Sequence, residues 1–503
     1  MQFNRSSCAI LLFALLTACG SQQATSPTAA SVATGAPAPT AAPVATGAPA
    51  PTTAPLPTAP LAPTAAPLPT AAPAPTAAPV PAEVTFQQPP MWAQGASIYQ
   101  MFVRAYTPEG TFAAATARLP ELRELGAEII YLLPIHPTGE ERRKGQLGSP
   151  YSIRDYRAID PALGSEADFR TFVTTAHELG MKVILDLVAN HTAWDNPLMQ
   201  EHPDWYTRNA AGDVIPPNLD WTDVADLNYD NADLRQYMID TSLYWVDKFG
   251  VDGFRCDVSD AVPADFWLAW RAALKARNPD LLLLSESGGV QMFAAGFEVA
   301  YDWTTRSEFI QGLLAPNLAR RAMSNVSFEA KRYGPEMWRM RYLENHDQER
   351  IAAATREVGQ RRAAAAFLLT LPGLPLVYAG QEVGATERPS LFDPFTVDFA
   401  SGDAELRALY SQLMQLRRDS PALRANTFER IQAEGRTVLL YERTAPAQRI
   451  LVAINLDDAP AQATFTGYTN GRDLLTGAEV DISTGVSLDA FGYQIIELPP
   501  TAN

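Results

Sequence analysis

The sequence predicts an α/β protein: a (β/α)8 TIM barrel with a loop domain inserted after its third strand, followed by a C-terminal antiparallel β-sandwich. Three observations carry this. From residue 97 onward, short apolar runs rich in β-branched and aromatic residues alternate with longer amphipathic segments, the pattern of repeated βα units around a parallel sheet. Eight such runs occur over roughly 330 residues, enough to close a barrel with insertions. No glycine-rich phosphate loop follows the first run at Phe102, which argues against a doubly wound sheet, the other architecture that alternates in this way.

The barrel does not begin at the N-terminus. Residues 1–18 set Arg5 ahead of an apolar stretch from Cys8 to Leu16 that is too short to span a bilayer, and read as a secretory leader. Leu16-Thr17-Ala18-Cys19 resembles the lipobox of bacterial lipoproteins, which implies acylation of Cys19 and an exported, lipid-anchored protein at the cell surface or outer face of the membrane. Residues 19–88 follow as a tether. Of the 41 prolines, 18 lie between Ser21 and Pro90, among Ala, Thr and Val, and no charged residue occurs between Arg5 and Glu83. Such a tract lacks the large apolar side chains that would offset its ordering entropy, and is expected to be extended.

The barrel is assigned to residues 89–420. Its candidate strands are Ser97–Phe102, Ile129–Leu133, Lys182–Leu187, Gly253–Asp257, Leu281–Ser285, Val299–Tyr301, Arg341–Asn345 and Leu374–Tyr378. The apolar stretch from Ala363 to Gly380 contains Pro372, Gly373 and Pro375, which split it into a helix end and a buried strand and exclude a membrane span. The inserted domain, 191–231, carries Trp194, Trp205, Tyr206 and Trp221 among Asp, Asn and Pro; long loops at that face of a barrel commonly serve binding. Residues 421–503 switch to short alternating strands such as Thr437–Tyr441, Ile450–Asn455 and Gly492–Leu498, separated by turn residues.

Charge excludes one class of partner. Without Arg5, 38 basic residues face 56 acidic ones, a net −18 on residues 83–503, so a nucleic acid is not expected to bind. Any membrane contact is expected only through the lipid, and the protein is expected to be a monomer. Cys8 leaves with the leader and Cys19 would be acylated, so Cys256 has no intrachain partner.

Unusual polar residues gather at the predicted strand ends: DLVANHT (186–192) after the third, GFRCDVSD (253–260) at the fourth, SES (285–287) at the fifth and ENHD (344–347) at the seventh. Asp257, Glu286 and Asp347 thus meet at one barrel mouth with Arg255, His191 and His346. Any one of these alone is more often an ion pair or a satisfied hydrogen bond; the combination points to a site. Two converging carboxylates suit glycoside hydrolysis, one as nucleophile and one as acid and base. Arg255 shares a strand face with Asp257 and should lower its pKa, keeping it ionised. Glu286, after apolar Leu281–Leu284, should have its pKa raised by desolvation and serve as the acid.

These segments, in this order and at these strand ends, resemble the four signature segments of the α-amylase family of retaining glycoside hydrolases. GSPYSIRDY (148–156) and GLPLVYAGQE (373–382) agree with it, and the likeness runs from about residue 95 to 385. It implies Asp257 as nucleophile, Glu286 as acid/base and Asp347 as transition-state stabiliser. Tyr151 would stack on the sugar in the cleaved subsite, Arg255 would support the nucleophile, and His191 and His346 would bind sugar hydroxyls, with Asp186 and Asn190 bracing the site. It also implies a domain B for 191–231. Two departures stand out. Many family members have a Lys-His pair where this chain has Asp260 and Ala261, and residues 104–112 lack the acidic calcium loop of some members. Asn190 and Asp226 match positions that can ligate a structural calcium, yet two oxygen donors fall short of the six to eight that calcium takes, so calcium stays open and no metal ligand is assigned.

The expectation is therefore a hydrolase of α-1,4-glucosidic bonds in starch-like glucans or maltodextrins. Within the family the alternatives are a 4-α-glucanotransferase or an α-1,6-acting enzyme; outside it, a non-catalytic glucan-binding lipoprotein, which retention of all three carboxylates argues against.

Overall fold

The computed structural model describes residues 84–500 apart from positions 319, 435 and 436, all within one compact unit, Ala77–Asn503. The expected leader, Cys19 and the proline-rich tract up to residue 83 lie outside the described residues.

Eight parallel strands close into a barrel: β1 (Ile98–Met101), β2 (Ile129–Leu132), β3 (Lys182–Leu187), β4 (Gly253–Cys256), β5 (Leu282–Ser285), β6 (Val299–Tyr301), β7 (Trp338–Tyr342) and β8 (Leu374–Tyr378). Each pairs with its successor and β8 returns to β1. Strands buried on both faces read as apolar runs, which is why the sequence displays them so clearly. Alternation then sorts the side chains. Ile129, Tyr131, Ile184, Leu282, Leu284 and Met340 help fill the barrel interior, while Ile130, Val183, Leu185 and Leu283 pack outward.

Seven strands lie within one residue of their predicted limits; β7 does not. It spans Trp338–Tyr342, where Arg341–Asn345 was expected. Trp338, Met340 and Tyr342 face inward, and Arg339 and Arg341 face outward. Glu329, on the preceding helix Arg320–Tyr333, takes Arg339 at 2.9 Å and Arg341 at 3.3 Å, and Arg341 also meets Asp302. Those partners let two arginines sit in a buried strand. Residues Glu344–Asp347 therefore occupy the loop after β7 and not its end.

After β3 the inserted segment pairs His191–Ala193 with Val224–Asp226 in a two-stranded antiparallel ribbon. Four of its five Trp and Tyr residues, Trp194, Trp205, Tyr206 and Tyr229, are buried in the main core, so they hold the insertion to the barrel; of the five, Trp221 alone lines the cleft. The segment Ala363–Gly380 divides into the end of helix Val358–Thr370 and strand β8. No helix among the described residues is long and apolar enough to cross a membrane.

The C-terminal region forms a six-stranded antiparallel sheet whose central strands are β10 (Val438–Ala445) and β11 (Gln448–Asn455), preceded by edge strand β9 (Glu429–Arg430). Leu439, Tyr441, Ile450, Val452 and Ile454 pack one face into the main core shared with the barrel helices. Val438, Leu440, Leu451 and Ala453 line the other face, under the separate ribbon Ala461–Ala463/Val486–Leu488. Helix Ala404–Asp419 places Arg417 at the centre of this junction, fully buried. It donates to the carbonyl oxygens of Gly95, Leu369, Leu371 and Gly373 at 2.5–3.0 Å.

Candidate active site

At the C-terminal mouth of the barrel the last inward side chains become polar. Asp186 of β3 and Arg255 of β4 are register partners. Asp186 Oδ2 accepts from the hydroxyls of Tyr131 (2.7 Å) and Tyr151 (2.9 Å), and Oδ1 accepts from Arg255 Nη1 at 2.7 Å. The same Nη1 reaches Asp257 Oδ1 at 2.9 Å, and Arg255 Nη2 pairs with Glu286 Oε1 at 2.8 Å. One fully buried guanidinium thus faces three carboxyl groups. Burial works against its charge, but Asp186 and Glu286 more than restore it, and Arg255 stays protonated.

That sharing overturns the expected state of Asp257. Burial, and then the neighbouring Glu286 charge, push its carboxyl well above the usual range, and Arg255 does not offset them. A single positive charge divided among three carboxyl groups cannot keep all of them ionised. In the unliganded site Asp257 is therefore the carboxyl that burial and Glu286 push toward its protonated form. Glu286, expected in apolar surroundings, instead has polar contacts: besides Arg255, the Val258 backbone N–H donates to its Oε2 at 2.7 Å. Val258 aims that N–H from a left-handed conformation (φ 40°), which is costly for a β-branched residue. This strained residue directly follows Asp257 and ties the Glu286 carboxyl to the end of β4.

Both histidines are buried and neutral. Burial pulls His346 down to about 3 and His191 down to about 4. His346 Nδ1 accepts from the Gln100 amide (3.0 Å), which leaves the proton on Nε2, facing the Tyr151 hydroxyl at 2.6 Å and Asp347 at 3.1 Å. Tyr151 can then accept from His346 and donate to Asp186, and its ring lies nearly parallel to the imidazole at 5.3 Å. Asp347 is the most open of the three acids; crowding by protein raises its pKa, and Arg255 and Arg388 oppose that rise. Cys256 is buried and has no disulfide partner among the described residues.

Tyr151, His191, Asp257, Glu286, His346 and Asp347 all line one cleft of about 370 Å³, so the structure gathers six of the seven predicted barrel-site residues around one space, with Arg255 beneath. The sequence reading missed several residues that complete it. Trp303, just beyond β6, lines the cleft and donates its indole N–H to the Glu286 carbonyl at 3.0 Å. Lys144 and Phe392 come from loops after β2 and β8. Tyr131 and Gln100 act from below. An aromatic directly after Tyr301-Asp302 was the available signal for Trp303; the others have no local signature.

At the two positions matched to a calcium site, the Asn190 amide nitrogen faces His191 Nδ1 at 3.3 Å, and burial raises the Asp226 carboxyl, opposed by its hydrogen bond to Thr207; no group of three or more His, Cys, Asp or Glu gathers among the described residues.

The catalytic-domain model of the alpha-amylase family matches residues 92–426. Alpha-amylase MalA of Haloarcula japonica is 34% identical over 410 residues, covering 77% of this chain and 59% of that protein, so the chain spans less than two thirds of that relative. A cyclomaltodextrinase from a Bacillus species is 26% identical over 434 residues, 74% of each chain. Among solved structures, an alpha-amylase from Lactobacillus plantarum matches with a TM-score of 0.75 and 34% identity, over 81% of this chain and 100% of that one. A maltogenic alpha-amylase from Thermotoga neapolitana gives 0.75 and 32%, over 82% and 100%.

Proposed function

This chain belongs to the α-amylase family, and from that premise we propose that it is a retaining hydrolase of α-1,4-glucosidic bonds in starch-like glucans or maltodextrins. The observation that carries the reading is the anchoring of Asp257 and Glu286 to the two terminal nitrogens of one buried guanidinium. That arrangement favours the close carboxyl spacing of a double-displacement pair over the wider spacing that leaves room for a water.

The glucosyl unit sits beside Tyr151, His191 and His346, with the neutral His191 imidazole donating from Nε2 to its hydroxyls while His346 orients Tyr151. Asp257 attacks C1 as Glu286 gives its proton to the departing glycosidic oxygen, so that the C1–O bond breaks and a glycosyl ester forms. Water then gives a proton to Glu286 and attacks C1, releasing Asp257 and restoring the starting configuration. Asp347 and the ionised Asp257 stabilise the positive charge that develops on the ring. The first step needs the proton on Glu286 and the charge on Asp257, and the Arg255 bridge between the two acids gives them a common partner through which their charges respond to each other.

The domain limits are part of the same proposal: leader 1–18, tether 19–88, barrel 89–420 with domain B at 191–231, and β domain 421–503. The lipobox-like Leu16–Cys19 supports a protein tethered outside the cell, where a polymer too large to import would be met, and a monomer is part of the same proposal. Incubation with soluble starch should release new reducing ends, and Asp257→Ala should abolish them; no release, or undiminished release by the variant, contradicts the reading. Products from maltoheptaose and pullulan then separate hydrolysis from transfer and α-1,4 from α-1,6 cleavage.

A further inference from the structure

Three loops that line the cleft, those after β2 and β8 and the insertion, are tied to one another. Lys144, in the loop after β2, reaches across to the insertion, with its ammonium 2.9 Å from Asp223 Oδ1 and 2.6 Å from the Asp220 carbonyl. Two residues further on, the same loop is tied to the loop after β8: Gln146 N–H donates to Asp393 at 2.9 Å and Leu147 N–H to the Phe392 carbonyl at 2.7 Å. Arg104 pins both loops from below, through the carbonyls of Gly148 (3.2 Å) and Leu391 (2.7 Å). Gly145 has φ +64°, and a Cβ there would lie 2.5 Å from Phe392, so the crossing admits no larger residue. Lys144, Asp223 and Phe392 all line the cleft.

The position of this wall gives it a meaning. Glu286 protonates the departing oxygen, so the leaving part of the glucan lies beyond Glu286 and Trp303, on the β5 and β6 side. The sugars that precede the cleaved unit must lie on the opposite side of Tyr151 and His191. That side is the arc of β8, β1, β2 and β3, where the three tied loops stand.

Resting on the hydrolase reading above, we infer that the Lys144 bridge closes the cleft toward the non-reducing end, so that the enzyme takes α-glucan chains by that end and releases short products. Lys144 is a specificity-determining residue in this account: the Glu140 N–H bond to Asp195 (3.0 Å) and the Arg142 guanidinium over Trp194 also join the β2 loop to the insertion, but the Lys144–Asp223 ion pair is the tie whose two side chains both line the cleft.

The test compares maltoheptaose with maltoheptaose carrying a 4,6-O-ethylidene block on its non-reducing glucose, using the full chain. The unmodified protein should cleave the free substrate about tenfold or more faster, by kcat/KM, than the blocked one. Lys144→Ala and Lys144→Met, the second keeping most of the side-chain stem, should each shrink that ratio about threefold or more. Equal rates on the two substrates in the unmodified protein would overturn the wall, and a ratio unchanged in both variants would overturn the role of Lys144. Failure of the unmodified protein to cleave free maltoheptaose would instead overturn the hydrolase reading on which the inference rests.

Discussion

Asp257 and Glu286 have distinct fingerprints under substitution. Glu286→Gln should lower kcat/KM on maltoheptaose by on the order of 10²–10⁴, yet lose far less on an α-maltosyl fluoride, whose leaving group needs no proton. Steady-state rates on the two substrates check this. Asp257→Asn should abolish activity and stabilise the fold. Because the folded-state pKa of Asp257 is raised, its carboxyl costs stability increasingly as pH rises above the ordinary carboxylate range, and the cost vanishes below that range. The variant should therefore melt higher than the parent at neutral pH, with the gain fading toward pH about 3. Thermal melts across pH would show a gain at all pH values, or none, if the charge state were otherwise. The residues of this site were legible in the sequence because chemistry concentrates acids and histidines at strand ends. Their protonation was not, since it depends on how many carboxyl groups share Arg255, and Asp186 and Glu286 lie 69 and 31 positions from it in sequence.

The strands were legible because burial on both faces makes them apolar throughout, and β7 shows where that signal fails. Its two outward arginines break the apolar run, and what stabilises them, Glu329 and Asp302, arrives from other elements. Arg417 is a related case with a larger consequence. It satisfies four carbonyl oxygens from two chain segments, so Arg417→Met should cost about 3–5 kcal/mol, measurable as a lowered denaturation midpoint. Gly373, at the start of β8, has φ +100° and would place a Cβ 2.2 Å from the Arg339 carbonyl oxygen. Gly373→Ala should destabilise by about 2 kcal/mol or more through strain and displacement of β7. Chemical denaturation reads both effects. The insertion teaches the reverse lesson to β7: its aromatics suggested binding, but Trp194, Trp205 and Tyr206 serve the core, and composition alone does not distinguish an aromatic that packs from one that faces a ligand.

For the whole molecule, the site residues named among the described residues all lie within Ala77–Asn503. A chain starting near residue 85 should keep its activity on starch, while Cys19→Ser in the full chain should move the protein from the membrane fraction to the soluble exported fraction, as fractionation and immunoblotting would show. The barrel and the four polar clusters at its mouth were readable in advance because they repeat along the chain in order. The wall built by Lys144, Asp223 and Phe392 was not, because it joins three loops that only the closed barrel brings together. The central claim is that Asp257 forms a covalent glycosyl ester while Glu286 handles the proton. It is tested most directly by trapping that ester in Glu286→Gln with 5-fluoro-α-maltosyl fluoride and mapping the label by peptide mass spectrometry. The account predicts one added sugar, on the peptide that carries Asp257; a label on any other residue would contradict it.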